Sequence, residues 1–377
     1  ANLFTANLFT ANLFTANLFT ANLLTANLLT ANLLIACMFI GSGQLYAQDV
    51  NSKTKQDERN SVDDYSAETL NALGITRKIG LFQPLTEPPC SYCVDQNAKG
   101  FIKQDDMVLA WIRGVHNGGA FSIRHFISKY RVINDTYGLF FYDPDGGYVS
   151  AFKKDYGYKF YGWRGGVMVA QSRDGTLWSA LSGRAILGPQ KGTKLKRVPS
   201  MTTLWSHWLM LHPESTAYDL FDGKRYEAIE FPTQKSKDSM ATIGKVDSRL
   251  GRFSKVIGVE SNDEQLAFVL DDLEPRAVKN SRLDGKPIVM FWYGKTNTAV
   301  VFDSMVDGKQ LNFFADGISP ATAPFKDKET GTRWTLAGRA VDGPLRGKEL
   351  TWHDSIQCNW YAWSFEYPKT KIYNSGK

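Results

Sequence analysis

Two cysteines set three residues apart, Cys90-Ser-Tyr-Cys93, are the residues best spaced for chemistry. Two thiolates at this spacing can chelate one soft metal ion, cycle as a redox pair, or close a short structural disulfide. Val94 stands where a c-type haem site needs His. No second CxxC is present to complete a four-Cys zinc site. Cys358 is a candidate third ligand. A buried, inert thiol is its other reading, and a Cys358–His353 nucleophile–base pair is the catalytic version. The cofactor expectation is none, with a copper or zinc ion on Cys90 and Cys93 as the exception.

A second cluster is aromatic. Tyr156, Tyr158, Tyr161 and Trp163 crowd the Gly-rich stretch 155–166. On a strand, alternate rings share a face. An exposed face of this kind binds sugars or apolar rings, whereas a covered one is core. Asp143-Pro-Asp-Gly-Gly147 offers carboxylates to Ca²⁺ but lacks the ligand series of an EF-hand, so it reads as a turn. The five His show no ligand spacing, and there is no GxGxxG, phosphate-loop or HExxH motif. Net charge is +6 with both signs interspersed. The one basic cluster, Lys191, Lys194, Lys196 and Arg197, reads as a solvated edge too short for nucleic acid.

Residues 1–47 read as a repeat-expanded, signal-like segment. Seven pentapeptides of the ANLFT type lead into an apolar run, Leu33–Ile40. That run has signal-peptide length, short of the roughly 20 residues of a spanning helix. Leu45-Tyr46-Ala47 is the expected cleavage site, and the basic region that such a signal needs would lie upstream of Ala1. A lipobox reading makes Cys37 a lipidation site, and a pentapeptide β-helix is the third reading. The expectation is an exported chain, periplasmic or secreted, touching membrane only through the signal or a lipid anchor. Residues 48–65 are polar enough to be a flexible linker. In 66–99, an N-terminal extension carrying the CxxC, Ser66 is placed to cap a short helix that Gly74 ends.

The rest of the chain repeats itself. Gly183-Arg-Ala matches Gly338-Arg-Ala, Gly188-Pro189 matches Gly343-Pro344, Trp205-x-x-Trp208 matches Trp360-x-x-Trp363, and Tyr218 matches Tyr373, all at one offset of 155 residues. Repeat units at 100–220 and 250–377, with 221–249 as linker or crossover, account for this. Gly138–Phe152 and Ile288–Phe302 read as hairpins, and Tyr148–Phe152 alternates as a half-buried strand does. The expected fold is α+β, mainly antiparallel β: two tandem units packed side by side, each closed by a short Trp-x-x-Trp helix.

Ile133-Asn-Asp-Thr136, Gly175-Thr-Leu-Trp-Ser179, Gly183-Arg-Ala, Gly188-Pro189, Trp205-x-x-Trp208 and His212-Pro213 resemble the bacterial and archaeal family catalogued as domain of unknown function 3179. The resemblance covers about 105–375 and carries no activity with it. It implies a Cys-Pro-Leu-Cys segment in the central hairpin and a His just before the Asn-Asp pair. Asp143-Pro-Asp145 and Tyr130 stand there instead, so any metal or redox site built on those residues is lost or moved here. Two function classes follow: a ligand-binding or scaffolding module of the cell envelope, using the groove between the units and the aromatic stretch, or a thiol- or metal-dependent protein centred on the CxxC pair. The ligand expected for the first class is an unidentified small molecule or envelope component.

Overall fold

Short β-branched and aromatic runs broken by Gly and Asp turns dictate the secondary structure. Thus Leu139–Asp143 pairs antiparallel with Tyr148–Phe152 across the Asp-Pro-Asp-Gly-Gly turn. Met305–Val306 pairs with Lys309–Gln310 across Asp307-Gly308, both at positive φ as a tight hairpin turn requires. Ser66 caps the helix Ala67–Ala72 by accepting from the Thr69 amide, and Gly74 follows at φ +66°. The computed structural model describes residues 65–88, 90–92, 102–113, 117–126, 130–153, 155, 157–218, 237–262 and 264–373. It is mostly β, with antiparallel sheets predominating. No helix among these residues is long and apolar enough to cross a membrane.

Four sheets build the centre. Sheet I runs in the order Ser200–Leu204, Met107–Arg113, Asn117–Ser122, Thr216–Tyr218, Cys90–Tyr92. Sheet III runs Ser355–Asn359, Lys255–Glu260, Gln265–Val269, Lys371–Ile372. In both, the first two pairings are antiparallel and the third is parallel. Sheet II is Gln83–Thr86, Tyr130–Asn134, Leu139–Asp143, Tyr148–Phe152, and sheet IV is Arg276–Leu283, Lys286–Tyr293, Thr298–Asp303. Outside these lie three antiparallel sheets, one drawn mainly from 159–187, one from 313–342, and the two-stranded pair of Met305–Val306 with Lys309–Gln310. Helices Trp205–Leu211 and Trp360–Glu366 directly follow the edge strands of sheets I and III.

The inner strands of these sheets are buried on both faces. In sheet II, Leu139 and Phe141 enter a core with Val256, Ala267 and Trp360 of the second half. The intervening Phe140 and Tyr142 enter another with Leu109, Trp111 and Phe121. Sheet IV repeats the pattern: Val289 and Phe291 pack with Val108, Ala110 and Trp205, while Met290 and Trp292 pack with Ile257, Val259 and Phe268. Sheets I, II, III and IV therefore form a closed cycle, each packing on the next and IV returning to I. One expectation is corrected: Tyr148–Phe152 is buried along its whole length, not half-buried, because sheets cover both its faces. Two of the four cores take residues from both halves. The described part of the 221–249 segment also docks: Met240, Ile243 and Val246 pack on the shared core, and Trp360 Nε1 donates to the Asp247 carbonyl at 2.9 Å.

Shared cores make the halves interdependent. Residues 100–220 expressed alone should give no cooperative urea transition and no near-UV circular dichroism, whereas the full chain gives one transition. A natively folded first half would refute this. Phe141→Ala in the full chain should cost about 3–5 kcal/mol, read by the same urea titration.

Candidate functional site

A cleft of about 410 Å³ opens where the halves meet. Its walls come from matching places in the two halves. Tyr142 and Trp292 are each the penultimate residue of a hairpin's first strand, paired with Val149 and Ala299. Met107 and Lys255 each start the strand that pairs with an edge strand, opposite Leu204 and Asn359. Thr202 and Gln357, 155 residues apart, line it from those edge strands. The places match and the chemistry does not: phenol against indole, thioether against ammonium, hydroxyl against amide.

Polar contacts fix this wall. Gln357 ties sheet III to the sheet IV hairpin, accepting from the Ala299 amide at 2.9 Å and donating to the Asn297 carbonyl at 3.1 Å. Asn359 holds the other hairpin tip, its Nδ2 donating to the Asp145 carbonyl at 2.8 Å and its amide to the Gly146 carbonyl at 2.8 Å. Lys255 Nζ donates to Asn359 Oδ1 at 2.7 Å. Gly147 suits this tip: its φ is +69°, where other residues are strained, and a Cβ there would come within 2.8 Å of Lys255 Nζ and push the ammonium aside. The Lys255 side chain is exposed overall, but its ammonium end is desolvated against the tip, which draws its pKa below the ordinary lysine value.

Beside the cleft, Asp143 is fully buried. Its Oδ1 accepts from the Asp145 and Gly146 amides at 3.1 and 3.0 Å, and its Oδ2 from the Met168 amide at 3.2 Å. Burial, and secondarily repulsion from Asp145, pushes its pKa up to about 6. The carboxylate is thus engaged by the turn's own backbone, as the turn reading of Asp143-Pro-Asp145 expects. Among the described residues no group of three or more His, Cys, Asp or Glu side chains is placed to hold a metal.

Cys358 also lines the cleft. It is buried, and burial pushes its thiol up to about 12, with Lys255 and Arg197 only partly offsetting the shift. A thiol so held is a poor nucleophile. His353 lines a different cleft, so the proposed Cys358–His353 pair is not assembled. Cys90 begins the outermost strand of sheet I, while Cys358 lies in sheet III. Cys93, Cys37, Ala47, Tyr156 and His116 lie outside the described residues, as do the signal-like segment and nearly all of the 48–65 linker.

Of the two readings of the aromatic stretch, the core one describes Tyr158, Tyr161 and Trp163: they are buried and present no exposed ligand face. Tyr158 and Trp163 belong to the core shared by the halves, and Tyr161 packs with Leu70, Ile75 and Val169. Asn134 bonds both backbone groups of Tyr158 at 2.9 Å, which gives the Asn-Asp motif a structural task. The cleft residues Tyr142, Trp292, Lys255 and Gln357 were not singled out in the sequence. They share one signal: a matching place in the two halves' strands that carries different chemistry.

The chain belongs to a family of proteins of unknown function, DUF3179, whose profile matches residues 164–370, more than half of its length. No curated protein matches it, and no solved structure does.

The Asp143 carboxyl is easier to protonate folded than unfolded, so the stability it contributes is full below about pH 4 and lost as pH rises through about 6. A rise of that size above the ordinary carboxylate value corresponds to at most about 3 kcal/mol. Relative to Asp143→Asn, the wild type should lose stability between about pH 4 and 7 in urea titrations; a flat difference would refute this assignment. Cys358 should resist a thiol reagent at about pH 8 in the native protein and react on unfolding. Rapid native labelling of Cys358 would contradict its burial.

Proposed function

We propose that this chain is a small-molecule-binding protein of the cell envelope, built by tandem duplication, whose ligand occupies the cleft where the two copies meet. The observation that carries the reading is the cleft wall itself: matching positions of both halves converge on one concavity of ligand-holding size but differ in chemistry. A duplicated fold needs only alike residues at such places, so divergence there follows a task the fold does not impose.

The duplication is supported by the common strand order and pairing senses of sheets I and III. It is supported again by Gly183 and Gly338, both at positive φ, where a Cβ would meet the rings of Phe152 and Phe302 at 2.5 and 2.7 Å. Export is supported by the apolar run 33–40 and the small residues ending at Ala47, with Cys37 as the lipid-anchor alternative. The ligand fitting this wall has an apolar or aromatic body beside Tyr142 and Trp292 and an acidic or acceptor group toward Lys255. Binding is favoured over catalysis because Cys358 is held as a buried thiol and Asp143 is occupied by backbone amides. The thiol or metal reading now rests on Cys90 and Cys93, with Cys358 in a different sheet from Cys90.

A calorimetric screen of aromatic carboxylates against the full mature chain tests the reading. A binder should appear with one site per chain. Lys255→Met should weaken it about ten-fold, the scale of one charge-assisted hydrogen bond, and leave the unfolding midpoint within a few degrees. Absence of any binder, or a binder indifferent to Lys255→Met, would sink it.

A further inference from the structure

The basic cluster read in the sequence as a solvated edge is only partly that. Lys194, Lys196 and Arg197 line a second cleft, of about 430 Å³, facing Trp352, His353 and Asp354 of the other half. The residues 155 positions after the three cations are Glu349, Thr351 and Trp352, so the positive wall comes from the first half alone.

Two of the cations are already engaged. Arg197 Nε lies 2.5 Å from Asp354 Oδ1, with its side chain only 8% exposed. Lys194 pairs with the buried Glu260 and reaches Asp354 at 3.5 Å. Lys196 differs: its ammonium makes no ion pair or side-chain hydrogen bond among the described residues, and it is an exposed cation of the lining, left over once Glu260 and Asp354 have taken up Lys194 and Arg197. Trp352, packed edge-on against Phe302 at 5.3 Å, supplies a rigid apolar surface opposite. A narrow cavity of about 20 Å³, lined by Ser150, Ser200, Ser355 and Gln357 among others, lies between this cleft and the first. It has room for about one water, so the clefts do not merge into one site.

We propose that this second cleft binds a small molecule carrying an oxyanion, carboxylate or phosphate, on an apolar ring, with the oxyanion at Lys196 and the ring over Trp352. It is independent of the first cleft's ligand. Phenyl phosphate and phenylacetate, titrated separately by calorimetry into the full mature chain at low salt, test it and separate the two anions. The expected result is one-to-one binding of at least one probe, weakened about ten-fold by Lys196→Gln and unchanged by Lys328→Gln, an exposed lysine on the turn after Phe325–Asp327. Unaltered unfolding midpoints establish that both variants fold. No binding of either probe at millimolar concentration overturns the proposal. So does equal weakening by both variants, which marks diffuse screening of surface charge. Weakening by Lys255→Met and not by Lys196→Gln places the anion in the first cleft, which overturns this proposal while upholding the other.

Discussion

The fold depends on strands that have no solvent face. A strand such as Leu139–Asp143 sends successive side chains in opposite directions, and here both directions are interior. Such a strand belongs to two cores at once, and a one-residue slip in register would exchange the residues of two packed interiors. The cycle of four sheets supplies a partner on each side, and it needs both halves of the chain.

The same constraint explains what was legible in the sequence. Turn chemistry was plain: Asp-Pro-Asp-Gly-Gly, Asp307-Gly308 and the Ser66 cap act locally, so local residues reveal them. The Trp, Gly and Pro pairs at one offset were equally plain. Which face a ring occupies was not. Tyr158, Tyr161 and Trp163 look like an exposed aromatic platform when only their own strand is considered, and it takes Phe82, Leu70 and the helix Trp360–Glu366 to cover them. Alternation cannot announce a strand with two interiors, because Phe-Phe-Tyr and Val-Met-Phe-Trp-Tyr show no polar side.

The clefts arise at the seam of the cycle. Edge strands Ser200–Leu204 and Ser355–Asn359 run from one cleft to the other, Ser200 and Ser355 lining the second, Thr202 and Gln357 the first. At the seam, matching places of the two halves carry unlike residues: Lys255 where the first half has Met107, and Lys196 where the second half has Thr351. Beside them, the hairpin tip that Asn359 grips is held by the Asp143 carboxyl, which burial makes reluctant to ionise.

The contacts closing the cycle join residues far apart in sequence: Asn359 reaches Asp145 across 214 positions, and Ser179 reaches Glu366 across 187. Loops of that length close late. The core around Phe141 is incomplete until the helix Trp360–Glu366 has been made, so the first half cannot bury its rings until the second half has been synthesised. A chain made from its N-terminus carries those aromatic side chains uncovered through that interval, open to wrong contacts until their distant partners arrive.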